Sequence, residues 1–316
     1  MALITDKKVV VLVGGVGGAK LALGLQQTIA PENLTIIVNT ADDFWHYGLR
    51  ICPDIDTVLY TLSGRVNPQF GWGVADDSTI TLDSLRTLGE DPWFTLGDKD
   101  MATHLLRTHM LRQGHTLTEI VAHLATQMNI QPNILPMTDA EVATVVNTVE
   151  YGKLDFQEYF VKHRWQPTLK DLSFEGIENA MLSTQAQAAL ADADMILFGP
   201  SNPWLSIAPI LAVNGMRSAL LARPVPRVAV TPIIAGKAIK GPAAKIMGEL
   251  GYEVSAQTVA DYYGDMINGF VYDQRDTPLK SHGLKTVAFD TMMKTSEDKR
   301  RLTNNILAWL DKLEAI

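Results

Sequence analysis

A single cysteine, Cys52, occurs in 316 residues. One thiol excludes an internal disulfide and a cysteine-rich zinc centre, and makes a reducing compartment the default expectation. Blocks of basic residues are missing too. The chain carries 27 Lys and Arg against 35 Asp and Glu, a formal net charge of −8. That balance argues against nucleic-acid binding and fits a small anionic substrate neutralised by a cation. No apolar run approaches membrane-spanning length. The N-terminal MALITDKK leads into the first strand pattern without the apolar core of a targeting segment, so a cytoplasmic protein without membrane partners is expected. No Ser–His–Asp or Cys–His arrangement is legible, which leaves covalent catalysis by a side chain without a candidate.

What the chain does have is apolar substance, 47% of its residues, enough for a large core. Val9 to Lys20 reads VVVLVGGVGGAK: a β-branched run, four glycines around one valine, then a helical pattern. Gly14, Gly15, Gly17 and Gly18 lack Cβ, so they can take positive φ and bring the backbone close to a ligand. The following helix offers unpaired N–H groups and the positive end of its dipole, a geometry suited to a phosphate or diphosphate. The loop is not a Walker loop, because no GK[ST] closes it. It also fits G-x-G-x-x-G poorly, since Lys20 stands where a small residue would pack. A tight strand–helix turn with no ligand is the bland alternative.

Leu34–Val38 (LTIIV) follows at one helix length, which makes a βαβ unit. Met195–Phe198 and Arg227–Val230 repeat the buried-strand pattern, and Val271 and Val287–Phe289 read as late strands. The expected fold is α/β: a Rossmann-like, open, mostly parallel sheet with helices on both faces and an inserted, mainly helical lobe. Residues 1–99 and 186–316 form the expected nucleotide-binding core, and 100–185 the lobe. Loops starting at Gly14, Asn39, Gly199 and Thr231 should converge on one crevice at the carboxyl ends of the strands. Ser296–Leu313 closes the chain as an amphipathic helix, with Ser296 as its N-cap and Leu302, Ile306, Leu310 and Leu313 on one face.

The second strand runs into Asn39-Thr40-Ala41-Asp42-Asp43. Adjacent carboxylates at a strand end are hard oxygen ligands suited to Mg²⁺, which bridges carboxylates to substrate phosphates; an Asx turn or helix cap is the structural alternative. Phe44–Asp56 (FWHYGLRICPDID) is dense in capable side chains. Trp45, His46 and Tyr47 offer flat surfaces for a ring system, Arg50 a partner for phosphate, and Asp54 and Asp56 two more carboxylates. Core filling and charge balance explain the same residues less specifically. Lys99, in Gly97-Asp98-Lys99-Asp100, is a phosphate candidate or a solvated lysine beside a helix cap. His104 and His109 stand five apart and do not share a helix face, so they read as non-ligands, and His163 as structural. Ser201 and Asn202, in the proline-stiffened GPSNP turn, can donate to phosphate or a base edge. The loop from Gly236 to Pro242 is a further glycine and lysine turn.

Taken together, VGGVGGAK (13–20), NTADD (39–43), CPDIDTVLYTLSG (52–64), GWG (71–73), LGDKDMATHLLRT (96–108), LPM (135–137), FQEYFV (156–161), GPSNPWLSIAPIL (199–211) and KGPAAKIM (240–247) resemble the 2-phospho-L-lactate transferase family over nearly the whole chain. That resemblance implies a Mg²⁺-dependent phosphotransferase of coenzyme F-420 biosynthesis. A guanosine-diphosphate-linked donor would carry phospholactate, phosphoenolpyruvate or a similar three-carbon acid. The ribityl hydroxyl of the deazaflavin Fo (7,8-didemethyl-8-hydroxy-5-deazariboflavin) would attack the phosphorus bonded to that acid, and GMP would leave. The resemblance implies Asp42, Asp43 and Asp54 as magnesium ligands, and Asp42, Asp43 or Asp56 as the catalytic carboxylate. It implies Gly14, Gly15, Gly17, Gly18 and Lys20 at the diphosphate, Ser201 and Asn202 at the guanosine half, and Trp45, His46, Asp56 and Lys99 on the Fo side. It also implies a homodimer. Val16, Gly18 and Ala19 replace the Thr, Thr and Pro of the archaeal GGTGTPK loop and resemble the bacterial form, for which phosphoenolpyruvate is the alternative donor acid. A sister family of non-catalytic, nucleotide-sugar-binding regulators shares the glycine loop and the Ala-Asp-Asp turn. A nicotinamide-linked oxidoreductase is the third class, weakened by Asp43 beside Asp42 and by the missing third glycine.

Overall fold

In the computed structural model, which describes residues 6–238, 243–280 and 283–314, the apolar runs become one parallel sheet. Its strands are β1 (Val9–Val13), β2 (Leu34–Val38), β3 (Asn133–Pro136), β4 (Met195–Phe198), β5 (Arg227–Val230), β6 (Gly269–Asp273) and β7 (Lys285–Phe289). The spatial order is β7-β6-β5-β4-β1-β2-β3, and every neighbouring pair runs parallel. Val9–Val13 is buried at all five positions, as a central parallel strand covered on both faces must be. The winding reverses between β1 and β4, so a crevice opens between their carboxyl ends.

Side-chain alternation along each strand divides the core between the two faces. Val9, Val11 and Val13 pack with Leu21 and Leu25 of the Val16–Gln26 helix, Val58 of the Pro53–Leu62 helix and Ile306 of the closing helix. Val10 and Leu12 face the other way, toward Leu190, Ile210 and Val259. The sheet is therefore doubly wound, as expected. One of its strands, β3, comes from within the 100–185 stretch read as a lobe: Ile134 and Leu135 pair with Ile36 and Ile37. What stands beside the sheet is an antiparallel three-stranded sheet of Gly152–Asp155, Ala143–Thr148 and Leu169–Glu175.

The closing helix runs Ser296–Glu314. Its cap is Thr295, not Ser296: Thr295 Oγ1 accepts from the Asp298 N–H at 3.1 Å, and Asp298 Oδ2 accepts from the Thr295 N–H at 2.9 Å. The reciprocal pair satisfies two end groups at once. Leu302, Ile306 and Leu310 are fully buried; the Leu313 side chain and residues 239–242, which include Lys240, Gly241 and Pro242 of the expected glycine and lysine turn, lie outside the description. This helix crosses the Val16–Gln26 helix at Gly24. A Cβ there would stand 2.3 Å from Thr303 Oγ1 and 2.6 Å from the Lys299 carbonyl oxygen. Gly24→Ala is therefore expected to cost about 1–3 kcal/mol by overpacking, read as a lower melting temperature. A variant melting at or above the wild-type temperature would show that the two helices separate freely.

Candidate active site

The crevice at the switch point encloses about 770 Å³, within the range of small-molecule sites. Gly15, Gly17, Lys20, Asp42, Asp54, Asp56, Ser201 and Asn202 all line it. The glycine loop and the GPSNP turn meet across its floor, where the Gly14 N–H donates to Ser201 Oγ at 2.8 Å. Ser201 keeps its own O–H as a donor. Asn202 is partly committed: its side-chain oxygen accepts from the Trp204 and Leu205 N–H groups at 3.0 and 3.2 Å. None of the four loop glycines takes a positive φ, so conformational freedom is not what fixes them. Close approach is. A Cβ on Gly15 would lie 2.7 Å from Asp54 Oδ1, and one on Gly17 would lie 2.3 Å from the Pro200 carbonyl oxygen. Gly14 and Gly18 face Ser206 and Val13 in the same way and do not line the crevice.

Acidic groups are buried around this loop at a cost in free energy. Asp42 is driven well above the ordinary carboxylate range, first by burial and then by the charges of Asp54 and Asp43; the Thr144 hydroxyl at 3.3 Å offsets only part of this. Burial pushes Asp54 up to about 6, against hydrogen bonds from Asn39 Nδ2, at 3.0 Å, and from the Gly15 backbone. Asp43 turns away. It lines a smaller neighbouring cavity of about 420 Å³ with Trp45, Arg50 and Glu141. Burial raises it to about 7, although the Arg50 guanidinium, 3.9 Å away, and the Cys52 thiol pull it down. Asp42 borders both cavities.

A second polar group gathers Tyr60, Asp100, His104 and Arg107, to which the sequence reading gives no role in the chemistry, around Asp56. The Asp98–Arg112 helix carries Arg107 inward, where it is 0% exposed. Its two terminal nitrogens pair with the two oxygens of Asp56. Arg107 Nη1 also lies 3.1 Å from His104 Nδ1. On the far side of the ring, His104 Nε2 is 3.2 Å from Asp100 Oδ1, an off-line approach that leaves this buried nitrogen without a well-aligned bond. Tyr60 donates its hydroxyl to the same Asp100 oxygen at 2.6 Å. Burial works against the Asp100 carboxylate, yet His104 and Tyr60 hold it below its ordinary value. Asp56, Asp100 and His104 have the mutual spacing of metal ligands, but the Arg107 guanidinium already supplies the positive charge there. The sequence reads His104 as a non-ligand, whereas its ring here stands within ligand spacing of two carboxylates. Its i, i+3 spacing to Arg107 and i, i+4 spacing to Asp100 was the available signal for the group.

The aromatic wall differs from the one expected. Trp45 borders the smaller cavity, with Arg50 over its ring at 5.7 Å and its indole N–H donating to Glu141 at 3.3 Å. His46 sits in an aromatic cluster with Phe44, Trp93 and Phe94, and burial lowers its basicity. Lys99 donates to the carbonyls of Ala75 and Asp76 at 3.2 and 2.6 Å, bracing a loop. None of these three lines the larger crevice. The rings that do include two pairs: Phe70 with Trp72, centroids 5.4 Å apart, and Phe160 with Trp165, 5.1 Å apart. One ring of each pair, Trp72 and Phe160, lies in the GWG and FQEYFV blocks. His163 stacks on Tyr151 at 4.5 Å, a structural contact.

A doubly wound α/β protein with an acid-lined crevice at the switch point is the class that this fold and site define. The family model for 2-phospho-L-lactate transferase CofD matches residues 9–308. The chain is 39% identical over 303 residues to the 2-phospho-L-lactate transferase of Methanococcoides burtonii, covering 95% of this chain and 98% of that one. It is 42% identical over 282 residues to the phosphoenolpyruvate transferase of Mycobacterium avium, covering 81% and 84%. A crystal structure of a UPF0052-family protein from Bacillus halodurans superposes with a TM-score of 0.63 at 16% identity, over 96% of this chain and all of that one, which speaks to the fold alone. The chain belongs to the CofD 2-phospho-L-lactate transferase family and is a transferase. No helix among the described residues is long and apolar enough to cross a membrane.

Carboxyl groups raised on folding bind protons more tightly in the native state than in the unfolded chain. Their stabilising contribution is complete below the unfolded value of 3.8 and is lost as pH rises through about 6 for Asp54 and about 7 for Asp43. The melting temperature of Asp43→Asn relative to wild type, both in EDTA, is therefore expected to climb between pH 5 and pH 8. A constant difference across that range would mean that Asp43 is not a strained buried acid.

Proposed function

We propose that this transferase moves a phosphorylated three-carbon acid, phospholactate or phosphoenolpyruvate, from a guanosine-diphosphate-linked donor to the terminal ribityl hydroxyl of Fo, releasing GMP, as a cytoplasmic, homodimeric enzyme of coenzyme F-420 biosynthesis. The observation that carries this reading is the meeting of three features in one crevice: a helix N-terminus with a glycine loop, buried carboxylates, and paired aromatic rings. Family membership supports the chemistry, and relatives named for both acids leave both as donors.

The residues fit a divalent cation. Asp42 and Asp54 are buried and raised above their ordinary values, and Asp54 adds to the rise in Asp42 through its charge. These are hard oxygen donors whose protonation is governed by burial and not by a neighbouring cation. Asp42 and Asp54 would hold Mg²⁺, and Asp43, facing the adjacent cavity, adds its negative field from behind. When bound, the ion supplies charge neutralisation for a diphosphate. Ser201 and Lys20 line the crevice where they can bind the diphosphate oxygens, and the Val16–Gln26 helix directs its positive end there. Asn202 and Ser201 serve the guanosine half. The deazaflavin ring lies against the Phe70–Trp72 or Phe160–Trp165 pair, which replaces Trp45 and His46 in that role.

In the reaction, a P–O bond forms between the ribityl oxygen and the phosphorus bearing the acid. The bond from that phosphorus to the bridging oxygen breaks, and GMP leaves with the bridging oxygen and its electron pair. Asp56, fixed by Arg107 and lining the crevice, accepts the hydroxyl proton. The rest is positioning and charge neutralisation, which is most of what phosphoryl transfer asks of a protein.

Purified protein mixed with Fo, Mg²⁺ and each guanylylated acid is expected to release GMP, with the phosphodiester product identified by mass. Asp42→Asn and Asp54→Asn should each lower kcat/KM about 100-fold or more while folding normally. Tight binding of a nucleotide sugar with no GMP release would favour the regulator class, and full activity in both variants would remove the metal assignment.

A further inference from the structure

The Asp100–His104 pair in the crevice wall has a geometry that fits one kind of group. Arg107 is fully buried, and a guanidinium has only hydrogens to give. Its Nη1 lies 3.1 Å from His104 Nδ1, beside its contacts to Asp56 Oδ2 at 3.1 Å and the Arg50 carbonyl oxygen at 3.2 Å; a guanidinium edge facing Nδ1 favours the tautomer with the ring proton on Nε2. That nitrogen is buried just behind the crevice surface that His104 lines, and it has no well-aligned partner among the described residues. Beside it stands the Asp100 carboxylate, 3.2 Å away, which also lines the crevice. Tyr60 occupies Oδ1 of that carboxylate; Oδ2 receives no hydrogen bond from the described residues. A donor engaged only off-line by Asp100 Oδ1 and an acceptor oxygen with an open valence thus stand side by side. An alcohol accepts one hydrogen bond while giving another, which a carbonyl, an ammonium group or a phosphate dianion does not do.

We propose that Asp100 and His104 form a hydroxyl-reading site for the sugar-alcohol chain of the acceptor: His104 Nε2–H donates to one of its secondary hydroxyls, and that hydroxyl donates to the Asp100 carboxylate. Arg107 is the positioning residue, since it sets the imidazole tautomer while pairing with Asp56. This rests on the acceptor reading above and deepens it, because it assigns recognition of the chain to residues distinct from those at the diphosphate. A site with buried polar groups discriminates strongly against a ligand that leaves them unpaired.

The test has two arms. In the first, ¹⁵N NMR of the unliganded protein at neutral pH should show His104 with a protonated Nε2 and a bare Nδ1. A ring protonated on Nδ1, alone or with Nε2, overturns the proposal whichever acceptor reacts. In the second, wild-type protein is given Fo and an analogue that keeps the ring and the terminal hydroxyl but lacks the secondary hydroxyls. The wild type should prefer Fo by about 100-fold or more in kcat/KM. His104→Leu and Asp100→Asn should cut that preference to below about 10-fold by slowing Fo far more than the analogue. His104→Gln, whose amide accepts and donates across the same span, should keep most of it. Equal slowing of both substrates, with melting temperatures preserved, or no preference in the wild type, overturns the hydroxyl site. GMP release with the analogue but no preference for Fo would overturn it while sparing the transferase reading; no GMP release with either acceptor overturns both.

Discussion

Burying like charges together is the constraint around which the rest of the crevice is arranged. Asp42 is buried between the fields of Asp54, beside the first glycine loop, and Asp43, which faces the neighbouring cavity, with little solvent to dissipate them. A buried carboxylate without a partner either takes up a proton or waits for a cation. The protein lets its own cations reach only some of these groups. Arg50 stands beside Asp43, and Arg107 is spent on Asp56. Asp42 and Asp54 receive hydrogen bonds from Thr144, Asn39 and the Gly15 backbone, which soften the repulsion without cancelling charge. The two carboxylates whose protonation is set by burial and hydrogen bonds, Asp42 and Asp54, are the two of this trio that face the crevice.

The glycine loop follows from the same constraint. Its residues keep ordinary backbone angles, and what they give up is volume. Asp54 can stand over the start of the Val16–Gln26 helix only because Gly15 has no Cβ, and the GPSNP turn can close over Gly17 for the same reason. The positive end of the helix therefore faces an acidic side chain as well as the crevice. The loop lowers the cost of one carboxylate and at the same time shapes the floor on which an anionic ligand would lie.

The sheet was legible because its strands are short, apolar and β-branched, and because each ends at a turn signal. Val9–Val13, Leu34–Val38, Met195–Phe198 and Arg227–Val230 could be read directly. β3 was harder, since Asn133–Pro136 begins with a polar residue and ends in proline, and only its pairing with β2 reveals it as the sheet edge. Within the site, residues near strand ends were found: Asp42, Asp54, Asp56, Ser201 and Asn202. Trp45, His46 and Lys99 were drawn in by chemical density alone, but the short hairpin of Phe44–His46 and Leu49–Ile51 carries the first two away from the larger crevice. The aromatic pairs and Arg107 stand on segments distant in sequence, and no local periodicity shows that they meet.

Arg107 shows why. From sequence it is one cation near the end of a polar helix whose exposed face carries Leu105 and Leu106. Helical spacing puts it beside His104 and Asp100, but nothing local says that this face is buried. The deciding contact is with Asp56, 51 residues away. Once that ion pair forms, the guanidinium cannot leave without stranding a buried carboxylate, and its Nη1 comes to face the Arg50 carbonyl oxygen and His104 Nδ1. That contact favours a bare Nδ1 on His104, and the proposed tautomer makes its outward nitrogen a donor. A long-range salt bridge thereby determines the hydrogen-bonding character of a crevice residue that never touches Asp56 through its outward edge.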